Sequence, residues 1–322
     1  MQKKLLTWKF IYDNLLQEIP VLLLYVLESK GSSPGRQGFM MAVNKGGEMH
    51  GSIGGGIMEH KFIELAKEGL EQEEPVNTLK IQVHDKSAAS NQSGMICSGE
   101  QTIFLYSIKH EEINTIQSII DSLEHFQNGS LQLSPAGIIF INTAPSENHV
   151  FNKLSENDFI YKEKTGFQNH LHIIGGGHCS LALAELMSRM DFYVHVYEER
   201  INLNTVIKND FADDIIYVES YATIDQHIAA GASQYVVIMT VGYRTDAIAL
   251  KSILHQSFAY VGMLGSKNKI AKLFEELLNE GIDQQKLNQI HAPIGIPIKS
   301  QSTEEIAVSI AAEIIQVKNA NL

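Results

Sequence analysis

The sequence predicts an α/β protein of two unlike halves: an N-terminal α+β domain, residues 1–166, followed by a C-terminal Rossmann-like doubly wound parallel sheet, residues 167–322. Three observations carry this. Two glycine-rich turns, Gly51-Ser52-Ile53-Gly54-Gly55-Gly56 and Gly175-Gly176-Gly177-His178-Cys179-Ser180, each precede a helical pattern, and only the second follows a buried-strand pattern. Beyond the second turn, short apolar runs alternate with helical stretches, as in a parallel sheet covered on both faces. A length of 322 residues is enough for two separate cores.

Leu5, Trp8, Tyr12, Leu15 and Leu16 recur at helical spacing, Pro20 closes that helix, and Val21 to Leu27 reads as a buried strand. Glu28 to Gly38 is a turn-rich loop. Phe39 to Val43 and Glu48 to Ile53 form a hairpin pattern about Gly46-Gly47. After the triglycine, Met58, Phe62, Leu65 and Ala66 mark the apolar face of a helix. Leu79, Ile81 and Val83 alternate as a half-buried strand, and Gln101 to Ile108 is again strand-like. A helix carrying Ile113, Ile116, Ile120 and Leu123 leads to a β-rich patch at Gly137 to Ile141.

In the second half the strand runs are Leu171–Ile174, Tyr193–Tyr197, Ile215–Val218, Tyr235–Thr240 and Ala259–Leu264. The last helix opens on Ser302-Thr303-Glu304-Glu305, where Ser302 and Glu305 can satisfy each other's backbone donors.

Composition excludes several classes. The net charge of −12 argues against nucleic acid or an anionic membrane as partner. The longest apolar run, Ile19 to Leu27, falls well short of the roughly 20 residues that cross a bilayer. The N-terminus lacks a signal-peptide core. Two distant cysteines, Cys97 and Cys179, exclude a disulfide framework and suit a reducing cytoplasm.

Glycine allows close backbone approach, and a helix N-terminus presents unpaired amides, so both turns are candidate anion sites. At the first, Ser52, Gly54, Gly55 and Gly56 are candidate phosphate contacts. Glu59 is either a ligand contact or a carboxylate at home near the helix dipole, and Arg36 meets an anion or pairs with an acid. At the second, Gly175, Gly177 and Ser180 fit G-x-G-x-x-G with serine last, His178 lies within the turn, and Glu198 ends the next strand, where an acid binds ribose in dinucleotide sites. Gly265 and Ser266 open another helix on the same side of the sheet, although capping alone accounts for Ser266. Cys97 sits in a polar, glycine-containing loop, where a thiolate is a soft metal ligand or nucleophile. Cys179 reads as packing. His84 and His178 read more readily as surface histidines than as ligands.

With these residues in view, the sequence resembles the XdhC/CoxI family of xanthine dehydrogenase accessory proteins over nearly its whole length. The resemblance rests on Gly31-Ser32-Ser33-Pro34-Gly35-Arg36-Gln37-Gly38, on Gly51 to Gly56 with Glu59, and on Met95-Ile96-Cys97-Ser98-Gly99-Glu100-Gln101. It continues through Gly175 to His178, Gly262 to Lys269, His291-Ala292-Pro293-Ile294-Gly295, Glu304 to Ile310 and Ala312-Glu313. Three positions depart from the family pattern: Ser98 replaces a common glycine, Val241 stands where many relatives carry histidine, and Glu198 replaces the usual aspartate.

The resemblance implies a protein that binds molybdenum cofactor and helps load its sulfurated form into a xanthine dehydrogenase-type molybdenum hydroxylase. It implies the apo-hydroxylase and a cysteine desulfurase as partners, without turnover by this chain. A homodimer is compatible with such a carrier. Under this reading Gly54 to Gly56 cradle the phosphate of molybdopterin and Cys97 offers a thiolate to molybdenum. The alternative is an NAD(P)-dependent oxidoreductase built on the second turn and Glu198.

Overall fold

The apolar run at Val21–Leu27 becomes the buried part of strand β1 (Val21–Gly31), and every residue from Val21 to Leu27 is buried. Burial of consecutive residues requires cover on both faces, because strand side chains alternate. Val21, Leu23, Tyr25 and Leu27 join a core with helices α1 (Gln2–Leu16) and α3 (Ile113–Glu124), whereas Leu22, Leu24 and Val26 pack with α2 (Gly56–Glu71). The structure is a computed structural model that describes residues 2–72, 74–83, 99–143, 147–166 and 169–320. The chain divides into two compact units, Met1–Phe167 and Gln168–Leu322.

In the N-terminal unit, β2 (Met40–Asn44), β3 (Met49–Ser52), β4 (Asn77–Val83) and β5 (Gly99–Ser107) join β1 in an antiparallel sheet of order β3-β2-β1-β5-β4. The predicted hairpin about Gly46-Gly47 is present as β2 and β3. The expected alternation of β4 holds only in part: Leu79 enters the core while Ile81 is exposed, because β4 is an edge strand paired with β5 alone. A second antiparallel sheet, β7-β6-β9-β8, comprises β6 (Gly129–Ser134), β7 (Gly137–Ile141), β8 (His149–Ser155) and β9 (Asp158–Thr165). Sequence patterning reaches only its Gly137–Ile141 portion.

A buried polar group ties these layers together. Tyr25 and Tyr161 each donate to Glu163 Oε2 at 2.7 Å, and Lys4 pairs with Glu163 Oε1. Burial would raise the Glu163 carboxyl, but Lys4, His149 and these hydrogen bonds outweigh it and hold it below the usual range. Gly38 (φ +85) lies over this group: a Cβ there would approach Glu163 and Lys4 to 3.0 Å. The loop bearing Arg36 is thus seated on a fixed base.

The C-terminal unit has five parallel strands in the order β12-β11-β10-β13-β14: β10 (Asn169–Ile174), β11 (Phe192–Glu198), β12 (Asp214–Tyr217), β13 (Gly231–Ile238) and β14 (Phe258–Met263). Helices α4 (His178–Ser188) and α9 (Thr303–Ala320) cover one face. Helices α6 (Tyr243–Ile253) and α7 (Lys267–Asn279) cover the other. A single turn, α5 (Asn204–Ile207), follows β11, and α8 (Gln284–Leu287) follows α7. This is the expected Rossmann-like doubly wound arrangement. The capping box is also present: Glu305 N donates to Ser302 Oγ at 3.2 Å and Ser302 N to Glu305 Oε2 at 3.4 Å.

One face of β10 and β11 carries three histidines that sequence patterning does not single out. His172 and His195 are register partners and stack with ring centroids 4.6 Å apart, and His170 Nδ1 lies 3.0 Å from His195 Nε2. His172 is also engaged by Tyr197 and Gln234, while His195 Nδ1 lies 3.1 Å from Asp214. Burial lowers all three, and it brings His172 down to about 3.

Candidate ligand-binding sites

Three segments distant in sequence converge at one end of the first sheet. Gln101, fully buried in β5, donates through Nε2 to the carbonyls of Gly35 at 2.9 Å and Ile53 at 3.2 Å. Gly35 has no room for a side chain, since a Cβ would run into the Ile53 carbonyl. A Cβ on Gly54 would come within 2.5 Å of Gly35 N, and one on Gly99 within 2.6 Å of Ser33 N. These glycines serve close backbone packing of the 31–38 loop, the 51–56 turn and the start of β5. Arg36 is exposed on this loop, donating to the Gly31 carbonyl at 3.1 Å.

The first turn is partly closed from within. Glu59, one turn into α2, folds back so that Oε2 accepts from Ser52 Oγ at 2.7 Å, Ile53 N at 2.9 Å and Gly55 N at 3.1 Å. The Gly54 amide donates to Ser52 Oγ at 3.1 Å. Of the amides expected to cradle a phosphate, Gly55 N thus goes to an internal carboxylate and Gly54 N to Ser52 Oγ, while Gly56 N has no acceptor among the described residues. A phosphate would compete with a tethered anion and meet its repulsion. Glu59 thus sits near the helix start as a carboxylate engaged by the turn's own donors. Gly55 (φ +76) and Gly56 (φ +72) supply the left-handed backbone that lets the carboxylate reach back.

The second turn is built differently. Gly175 (φ +107) fits because a Cβ would come within 2.5 Å of the Met239 carbonyl, and Gly176 is covered by Val206 and by the Thr205 hydroxyl, which donates to its carbonyl. Gly177 caps α4 with no side chain assisting, and open space lies where its Cβ would be. Among the described residues, the amides of Gly177, His178 and Cys179 have no protein acceptor, as expected for the first turn of a helix. Ser180 Oγ in the same turn is buried without a partner among the described residues. Such a turn fits a phosphate.

Glu198 is not presented as a ribose acceptor. It is 1% exposed; Oε2 accepts from Gly176 N at 2.8 Å and Arg200 Nη2 at 2.7 Å, and Oε1 from Arg200 Nε at 2.8 Å and Arg200 N at 3.0 Å. Burial pushes its carboxyl up, yet the Arg200 fork and the two amides prevail and hold it at about 2. Its structural work is to pin the glycine turn to the end of β11. A diol would have to displace Arg200.

The remaining expected residues are placed as follows. Ser266 is the N-cap of α7, its Oγ accepting from Lys269 N at 3.3 Å, and Gly265 packs against Ile270. His178 is exposed and lines a shallow groove between α4 and α9 with Leu181 and Ala307. Cys179 packs at the margin of the core, and burial raises its thiol. Cys97 and His84 lie outside the described residues. Sequence reasoning missed Asp246: it is fully buried in the first turn of α6 and bonded to Lys269 Nζ at 2.5 Å. Its signal, an acid in the first turn of an amphipathic helix, is common to many helix starts.

The fold and these turns define a two-unit protein with a Rossmann unit at its C-terminal end. The sequence profile of the XdhC Rossmann domain matches residues 171–314, and that of the XdhC and CoxI family matches residues 15–82. The chain belongs to the XdhC and CoxI family. It is 29% identical over 150 residues to a Bacillus subtilis protein named as a probable xanthine dehydrogenase subunit, a match covering 46% of this chain and 42% of that protein. It is 23% identical over 308 residues to the uncharacterised Escherichia coli protein YqeB, covering 94% of this chain and 44% of YqeB. The matches thus span less than half the length of either relative. A crystal structure described as a xanthine dehydrogenase, from Bacillus halodurans, shares the fold at a TM-score of 0.72 and 22% identity, over 98% of this chain and 96% of that one.

Proposed function

We propose that this chain is an accessory protein of a xanthine dehydrogenase-type molybdenum hydroxylase, binding the molybdenum cofactor and assisting its sulfuration and insertion. The observation that carries the reading is the convergence of the 31–38, 51–56 and 99–101 segments through Gln101, in a chain of the XdhC and CoxI family. The cofactor would contribute a phosphorylated pterin and a dithiolene that holds molybdenum. The residues fit it in part: within the N-terminal unit the Gly56 amide is open beside Glu59, and within the C-terminal unit Gly177, His178 and Cys179 suit the phosphate of a separate ligand. Arg36 would supply positive charge. Cys97, two residues before Gly99 in the sequence, would offer a soft donor.

The partners under this reading are the apo-hydroxylase and a cysteine desulfurase, in a reducing cytoplasm, with a homodimer as the working form. Reconstitution tests it. The apo-hydroxylase, released cofactor and desulfurase are mixed with or without this protein, and activation is followed over time. Activation accelerated by the protein supports the role; identical time courses refute it. A nucleotide-dependent oxidoreductase is the second reading, favoured by the open amides of α4. Micromolar NADH or NADPH binding by calorimetry would support it, although the engagement of Glu198 by Arg200 removes the usual ribose acceptor.

A further inference from the structure

The strand order β12-β11-β10-β13-β14 changes direction between β10 and β13, the place where open α/β sheets receive ligands. The carboxyl ends meet there: Met239 N donates to the Ile174 carbonyl, Leu264 N to the Ile238 carbonyl, and Gly175 packs against Met239 and Thr240. Thr240 leads directly to a buried ion pair. Asp246 Oδ1 accepts from Thr240 N at 3.0 Å and Thr240 Oγ1 at 2.6 Å, and Oδ2 accepts from Lys269 Nζ at 2.5 Å. The Asp246 side chain has no exposure, while that of Lys269 retains 28%.

An ammonium has three donors, and Asp246 is the single protein acceptor of Lys269 Nζ among the described residues. The lysine is therefore a fixed cation with donors still available on its solvent side. As a stabilising device alone the arrangement is poor, because burying a carboxylate costs about as much as the pairing returns. The second, independent feature is on the neighbouring strand end: α4 offers three unaccepted amides, Gly177 faces open space, and Ser180 Oγ is buried without a partner among the described residues.

We propose that Lys269 is the anion-recognising side chain of this crevice, receiving a phosphate or pyrophosphate oxygen of the ligand whose phosphate meets the α4 amides. Asp246 is its positioning residue, holding the ammonium against the Thr240 loop. The proposal rests on the reading of the C-terminal turn as a phosphate site.

Calorimetric titration of the full chain with inorganic pyrophosphate at low ionic strength tests it, with melting temperature followed for each variant. Wild type binds, Lys269→Met weakens binding at least tenfold, and Lys269→Arg stays within about threefold. Asp246→Asn weakens binding severalfold, and Lys269→Arg on that background does not restore it. If Lys269→Met fails to fold, the double variant Asp246→Asn, Lys269→Met removes both charges without stranding a carboxylate, and the same tenfold loss is expected. Binding by Lys269→Met equal to wild type, even with a lowered melting temperature, overturns the assignment and leaves a structural ion pair. Absence of wild-type binding removes the phosphate reading itself and this proposal with it. Molybdenum content, measured separately, tells whether the accessory role fails as well.

Discussion

The two glycine-rich turns look alike in sequence and are engaged by internal carboxylates to different degrees. At 51–56 the chain supplies its own anion: Glu59 takes the Ile53 and Gly55 amides and leaves that of Gly56 open. At 175–180 the acid belonging to the turn, Glu198, takes the Gly176 amide and leaves the next three free. What differs is where the carboxylate comes from. Glu59 rises from the helix that the turn opens, so its reach ends at the turn's donors, whereas Glu198 comes from a neighbouring strand and meets the turn from below. A glycine-rich helix start therefore predicts an anion, and the neighbouring elements decide whose anion it is.

Substitutions separate the two turns. The largest effect is expected for Gly54→Ala, where a left-handed φ of +131 and contact with the Gly35 backbone leave no accommodation. It should cost about 3 kcal/mol, the upper part of the overpacking range, read by urea denaturation with Trp8 fluorescence. Trp8 is the single tryptophan and is buried in the N-terminal unit, so it reports that unit. Glu198→Gln should cost about 2 kcal/mol through loss of the charge-assisted bonds to Arg200 and Gly176, read by hydrogen exchange in β10 and β11. Glu59→Gln should cost about 1 kcal/mol, the scale of a lost cap. Gly177→Ala, with ordinary φ and open space, should stay within about 0.5 kcal/mol. Equal costs for Gly54→Ala and Gly177→Ala would break the comparison.

Acid should weaken both units, and the C-terminal one more steeply. Among the described residues it buries three histidines held below their ordinary range, against His149 alone in the N-terminal unit. His170, His172 and His195 are held below 6.5 in the folded C-terminal unit, so the unfolded chain binds protons first as pH falls. Stability of this unit should begin to decline below about pH 6.5 and keep falling toward pH 3, by about 1.4 kcal/mol per pH unit for each extra proton bound by the unfolded state. Glu198 adds to the loss from about pH 4.5 toward its folded value of about 2. Substituting His172 by Gln should flatten the slope between pH 6.5 and 5 in hydrogen exchange of β10. An unaltered slope would show that His172 does not drive the acid response.

Much of the fold was legible because it rests on periodicity. The buried run at Val21–Leu27, the hairpin at Gly46-Gly47 and the five parallel strands depend on local alternation and turn chemistry, both of which a sequence displays. The second N-terminal sheet was mostly hidden, since its strands mix charges with apolar residues and His149 to Ser155 has no buried alternation. The site was legible only as a set of motifs. That Gln101 would clamp Gly35 and Ile53, or that Asp246 would hold Lys269, depends on tertiary proximity across 48 to 66 residues in the first case and 23 in the second. The Glu59 carboxylate was legible as a charge near a helix start, because that preference is local to its own helix.

A carrier of molybdenum cofactor with Cys97 among its donors should leave the cell with the metal attached. The direct test is anaerobic purification from cells that make the cofactor, with molybdenum quantified by elemental analysis for wild type and Cys97→Ser. Molybdenum retained by wild type and lost from Cys97→Ser is the predicted result. Wild-type protein that carries no molybdenum from such cells would contradict the carrier role.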